Sequence, residues 1–172
     1  MLSVLFGNAV TVSDDSNTIA VGSQNKDAPY YDSGKVYVYV KSNGSFTQEQ
    51  SLVASDASYE ARFGQSLAIS ADGNTLIVGS PSKTGQTYWD GAAYIFKRSA
   101  GAWTEFQKIV SSSPSYYEQF GYSVGMSDGG NVVVVGAPNS SSPGTYQDGA
   151  AYVFKMGQSS YAQEQKLTPT AS

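Results

Sequence analysis

Phe-Gly occurs at Phe6-Gly7, Phe63-Gly64 and Phe120-Gly121, 57 residues apart each time, and the 172 residues hold three such units with almost nothing left over. The same punctuation follows in each unit. Val21-Gly22-Ser23, Val78-Gly79-Ser80-Pro81 and Val135-Gly136-Ala137-Pro138 occupy one slot. Gly34-Lys35-Val36-Tyr37-Val38-Tyr39, Gly91-Ala92-Ala93-Tyr94-Ile95-Phe96 and Gly149-Ala150-Ala151-Tyr152-Val153-Phe154 occupy the next. A period of this size marks a stacked or circular array, because one unit of that length cannot bury its own apolar face. The repeat divides the chain into 1–58, 59–115 and 116–172, three parts of one repeat domain.

The middle unit reads as four strands. Gln65–Ser70 alternates small or polar residues with apolar ones, as a strand with two unlike faces does. Ala71-Asp72-Gly73-Asn74 is a tight-hairpin signal, since Asp, Gly and Asn tolerate positive φ. Thr75–Val78 is nearly all apolar, as a strand covered on both faces must be, and Gly79-Ser80-Pro81 stops it. After a polar loop, Ala92–Lys97 is rich in aromatic and branched residues. Trp103–Ile109 alternates with a one-residue slip at Phe106, which predicts a bulge or an exposed edge in the outermost strand. No segment carries a helical period. The fold class is all-β, and four short antiparallel strands per unit fit the blades of a β-propeller.

Phe-Gly-x-Ser-Val/Leu, Asp-Gly-Asn, Val-Gly-Ala-Pro and Gly-Ala-Ala-Tyr-Val-Phe together resemble the FG-GAP repeat, which builds the propeller head of integrin α chains and many bacterial and viral surface proteins. The first unit departs from the pattern, with Gly22-Ser23-Gln24 in place of Gly-Ala-Pro. The resemblance implies a surface or extracellular module. In integrin-type repeats it also implies a calcium loop between the first two strands. The corresponding loops here are Ser13–Asn17, Ser70–Asn74 and Ser127–Asn131, and two of them hold a single carboxylate. Calcium takes about six to eight oxygens, so these loops read as turns, and neither a metal nor a cofactor is expected.

Composition narrows the chemistry. The chain has no His and no Cys, which removes the Ser-His-Asp triad, thiolate metal sites and disulfides. The 10 Lys and Arg are scattered and net charge is −4, so no nucleic-acid footprint exists. No apolar run approaches a membrane span. Met1–Phe6 is too short for a signal peptide; an export signal has been removed, or the chain is a piece of something longer.

Loops joining strands two to three and four to one emerge on one face, and here both sets are the long ones. The first set holds Tyr30-Tyr31-Asp32, Tyr88-Trp89-Asp90 and Tyr146-Gln147-Asp148; the second holds Tyr59-Glu60 and Tyr116-Tyr117-Glu118. Long loops on a rigid scaffold are where binding sits. Tyr and Trp offer stiff amphipathic contacts, and aromatics beside carboxylates suit a sugar ring. These residues are the candidate ligand site, with Trp89 and Tyr117 foremost because they are not repeated in kind. The Asp before each Gly has a competing role as a turn cap. The expected function is a non-enzymatic module for adhesion, ligand binding (a glycan among the candidates) or assembly. The alternatives are a carbohydrate-active enzyme using Glu60, Asp90, Glu118 and Asp148, or a filament building block with no ligand. Three blades are fewer than the roughly four to eight of a closed propeller. Self-association into a six-bladed two-fold ring, a longer propeller of which this is part, or a head-to-tail filament would each supply the missing neighbours.

Overall fold

The computed structural model of the protein describes residues 4–141 and 147–169. It contains three four-stranded antiparallel sheets, each with its strands in sequence order. Blade 1 is β1 (Val10–Val12), β2 (Thr18–Ser23), β3 (Lys35–Ser42) and β4 (Ser45–Leu52). Blade 2 is β5 (Ser66–Ile69), β6 (Thr75–Ser80), β7 (Ala92–Ser99) and β8 (Ala102–Ile109). Blade 3 is β9 (Ser123–Met126), β10 (Val132–Ala137), β11 (Ala150–Met156) and β12 (Tyr161–Leu167).

The tight turns form where Asp-Gly-Asn places them. Asp72 accepts hydrogen bonds from the Ser70 hydroxyl at 2.5 Å and the Asn74 amide at 3.0 Å. Asp15 does the same with Ser13 and Asn17 in blade 1, and Asn131 takes the bond from Ser127 in blade 3 at 2.9 Å. The Ser hydroxyls, then the Asn amides, hold the Asp15 and Asp72 carboxyls below their usual range. These carboxylates are spent on their own hairpins.

Period-two alternation builds the core. On β6, Leu76 and Val78 pack toward blade 1 while Ile77 packs toward blade 3. On β7, Tyr94 and Phe96 face blade 1, and Ala93 and Ile95 face blade 3. Each joint therefore sets a small aliphatic face against an aromatic one. The first joins Val36, Val38 and Leu52 to Phe63, Tyr94, Phe96 and Trp103. The second joins Ile77, Ile95 and Ile109 to Phe120, Tyr152, Phe154 and Tyr161. Each such side chain contributes about 1.5–3 kcal/mol on burial, and each blade depends on its neighbour for it.

The Phe-Gly turn lets adjacent backbones touch. A Cβ on Gly79 would lie 2.0 Å from the Gly121 carbonyl oxygen of the next blade, and one on Gly22 would lie 2.1 Å from that of Gly64. Nothing larger than hydrogen fits there.

The slip in strand four is a bulge, repeated in all three blades. Pairing skips from Gln107 to Glu105 opposite Ile95 and Phe96, leaving Phe106 unpaired; Glu49 and Glu164 are skipped in the same way. Beside the bulges of blades 1 and 2 a Gln reaches the following blade. Gln50 donates to the Trp103 carbonyl at 3.0 Å and accepts from the Trp103 amide at 2.9 Å. Gln107 makes the same pair with Tyr161, at 2.9 and 2.7 Å.

Candidate functional site

The two sets of long loops meet at the joints. In the first clasp Glu60 and Arg62 donate backbone hydrogen bonds to the Tyr31 and Asp32 carbonyls, at 2.9 and 3.0 Å. In the second, Tyr117 and Gln119 donate to Tyr88 and Trp89, at 2.9 and 3.1 Å. A parallel bridge, Gly34 to Phe63 or Gly91 to Phe120, closes each clasp. The strand two-to-three loop of one blade is thus bound to the loop leading into the next.

The second clasp carries an aromatic ledge. The Tyr88 and Trp89 rings stack at 5.2 Å and 14°, and Tyr116 stacks on Tyr88 at 5.8 Å. Tyr117 stands edge-on to Tyr88, Trp89 and Tyr116 at 5.4, 5.4 and 4.7 Å. Arg62 reaches from the first clasp to lie 5.9 Å from the Trp89 ring, a cation–π contact. Tyr59, Tyr88, Tyr116, Tyr117 and Tyr30 are exposed large hydrophobics. Burial within the ledge, then Tyr116 and Tyr88, raise the Tyr117 hydroxyl above its ordinary range.

The first clasp is sparser and acidic. Tyr31 and Tyr59 stack at 5.2 Å, and Asp32 accepts from Asn25 at 3.1 Å. The Asp32 charge is the main influence raising the Tyr31 hydroxyl. Glu60 is half-buried at the rim. In the third blade Gln147 is exposed and Asp148 half-buried. Tyr146 lies outside the described residues.

Two of the candidate carboxylates have another job. Asp90 is buried and accepts from the amides of Gly85 at 2.7 Å, Gln86 at 2.8 Å and Thr87 at 3.1 Å. Glu118 is fully buried, accepting from the Tyr152 hydroxyl at 2.5 Å and the Ser115 amide at 3.0 Å. Both carboxylates support the loops that hold the ledge: a buried carboxylate persists only where donors replace its water. Asp90 also lines a cleft of about 250 Å³ with Gln86, Lys108, Val110 and Ser111.

Matching Tyr-Asp with Tyr-Asp and Tyr-Glu with Tyr-Glu placed the loops one residue out of register. At the 57-residue offset Asp32 corresponds to Trp89 and Ser33 to Asp90; Glu60 corresponds to Tyr117 and Ala61 to Glu118. Backbone angles agree with that alignment. Asp32, Trp89 and Gln147 share φ values of 46°, 54° and 57°, and Glu60 and Tyr117 share 55° and 60°. Ser33 supports its loop as Asp90 does, accepting from the Ala28 amide at 3.0 Å and donating to Tyr30 at 2.8 Å.

Sequence reasoning missed Arg62 and the ion cluster around Asp56. Lys108 lies 2.8 Å and Lys83 3.4 Å from the Asp56 carboxylate, and the Tyr94 hydroxyl donates to it at 2.6 Å. Burial opposes the charge on Asp56, but the bonds from Lys108 and Tyr94 outweigh it and hold the carboxyl at about 2. Burial, then Asp56, pushes the Tyr94 hydroxyl far up. A single Arg ahead of Phe-Gly and a single Asp in a Ser-rich loop carried no signal of either contact.

The FG-GAP repeat model matches residues 46–96 and 103–154, more than half of the chain. The chain belongs to the FG-GAP repeat family. Each match begins in or just beside the outer strand of one blade and ends in the third strand of the next, so each spans one joint. No curated protein matches the chain in sequence. Among solved structures it resembles Saccharomyces cerevisiae Sqt1, with TM-score 0.62 and 10% identity over 98% of this chain and 36% of that one. It also resembles a putative 6-phosphogluconolactonase from Bacteroides uniformis, with TM-score 0.63 and 15% identity over 92% and 39%. One from Bacteroides fragilis gives 0.61 and 14% over 92% and 38%. At these identities the likeness establishes the β-propeller fold alone. The FG-GAP chain spans under two-fifths of the length of each. Among the described residues no helix is long and apolar enough to cross a membrane, and no group of three or more acidic residues could hold a metal.

Proposed function

We propose that this FG-GAP chain is a non-catalytic recognition module of a cell or particle surface, binding a sugar ring on the ledge of Tyr88, Trp89, Tyr116 and Tyr117. One observation carries the reading: bulky aromatics occupy left-handed backbone positions at Trp89 (φ 54°) and Tyr117 (φ 60°). The scaffold imposes that conformation at the matching positions Asp32, Gln147 and Glu60 as well, and Gly or Asn would meet it more cheaply. Such a residue costs on the order of 1–3 kcal/mol and persists where its side chain is needed. The clasp hydrogen bonds hold these rings in place before any ligand arrives, so little ordering entropy is lost on binding. Flat rings stack on the apolar face of a sugar, while Tyr hydroxyls and the Arg62 guanidinium meet its hydroxyls.

The test is a glycan array followed by titration of Trp fluorescence. Trp89 lies on the ledge and Trp103 is buried, so quenching that disappears in Trp89→Asn reports the ledge alone. That variant should keep its melting temperature within a few degrees and, read by isothermal titration calorimetry, lose at least about tenfold in affinity, as a central aromatic contact does. Unchanged affinity would remove the ledge from the site. For the carbohydrate-active alternative, Asp90→Asn and Glu118→Gln should lower stability; hydrolysis that is abolished in both folded variants would favour an enzyme instead.

A further inference from the structure

We infer that the outward faces of blades 1 and 3 are the two halves of one more joint, and that a second copy of this chain fills it. Phe6 is 59% and Phe46 42% exposed, whereas their counterparts Phe63 and Trp103 in the first joint are 1% and 3% exposed. Phe6 already meets Tyr37 edge-on at 5.5 Å, as Phe63 meets Tyr94 at 5.5 Å. Blade 1 therefore presents a finished aromatic face. Blade 3 presents the aliphatic one. Val134 is 37% and Leu167 43% exposed, where Ile77 and Ile109 at the same repeat positions are 0% and 3%.

The polar groups match as well. Gln165 stands where Gln50 and Gln107 reach across to the next blade, and its side chain makes no hydrogen bond to any described residue. The edge backbone of Phe46 offers the amide and carbonyl that Trp103 offers to Gln50. At the bulge, exposed Glu164 corresponds to Glu49, and exposed Lys41 corresponds to Arg98. Glu49 and Arg98 pair at 2.6 Å in the first joint, so Glu164 and Lys41 carry the same complementary charges. A Cβ on Gly136 would meet only Ser123 of its own sheet, whereas one on Gly79 would strike Gly121 of the next blade. The space above Gly136 is open to a Phe-Gly turn, and Phe6-Gly7 is the one turn of the three with no glycine of a preceding blade against it.

Two copies docked blade 3 to blade 1 in both directions cover all four faces in a six-bladed ring with two-fold symmetry. This does not rest on the ledge binding a ligand. Sedimentation equilibrium of the 172-residue chain, from about 1 to about 100 μM, at or above the dissociation constants of standard-size interfaces, should give the mass of two chains. Glu164→Lys should weaken association at least about tenfold by setting like charges opposite each other, and adding Lys41→Glu should restore it. Both positions are exposed, so circular dichroism should not change. A single-chain mass throughout would overturn the proposal. So would association that is indifferent to Glu164→Lys, or a double exchange that fails to restore it.

Discussion

The two joints of this FG-GAP chain share a frame and differ in what decorates it. Both set an aliphatic face against an aromatic one, both bring a Phe-Gly turn onto a bare glycine, and both are latched by a Gln on the outer-strand backbone of the following blade. At the bulge they diverge. Glu49 in the first joint binds Arg98 at 2.6 Å and the Trp103 indole at 2.9 Å. Phe106 in the second lies edge-on to Tyr161 at 6.2 Å, with the Lys97 ammonium 3.9 Å from its ring. Asp56 adds Lys83 and Lys108 to the first joint; Glu118 and Tyr152 form a buried pair in the second. The frame is what blade packing requires. The bulge side chains are free to vary, and their variation gives each joint its own chemistry.

The largest effects should fall on the frame and be alike at both joints. Phe63→Ala and Phe120→Ala should each cost about 3–5 kcal/mol in chemical denaturation. A large difference between them would mean that the joints are not equivalent. Gly22→Ala and Gly79→Ala come next, at about 1–3 kcal/mol or more, since the clashing atom is backbone and cannot swing away.

Acid should separate the joints. The Asp56 carboxyl sits at about 2 against an ordinary 3.8. Its stabilisation is therefore complete above the ordinary value and is lost as pH falls toward the folded one. Amide protection factors in β7 and β8, whose Tyr94 and Lys108 bind Asp56, should fall between about pH 5 and 2, and Asp56→Asn should flatten that response. Exchange that keeps the same pH dependence in the variant would point to another group. The smallest effect belongs to Glu49→Gln, at under about 1 kcal/mol and shrinking with salt, as for a partly exposed pair. Phe106→Leu at the same position should show no salt dependence.

The sequence alone determined the repeat, the four strands of each blade, the tight hairpins and a slip in the alternation at Phe106, because each depends on neighbours a few residues apart. It also located the aromatic loops on one face, which strand alternation dictates. Which carboxylates were available was decided only in three dimensions. Asp90 and Asp32 look alike in the sequence, but one is buried under three amides and the other lies at a half-exposed rim. Counting the 57-residue period strictly would have paired Asp32 with Trp89; matching by residue type concealed it. Arg62 over Trp89 and Lys108 on Asp56 join residues 27 and 52 positions apart, and no local pattern encodes such a meeting. Period and alternation are properties of the chain. The fate of a charge depends on what the neighbouring blade brings against it, and that is known only once the blades are packed.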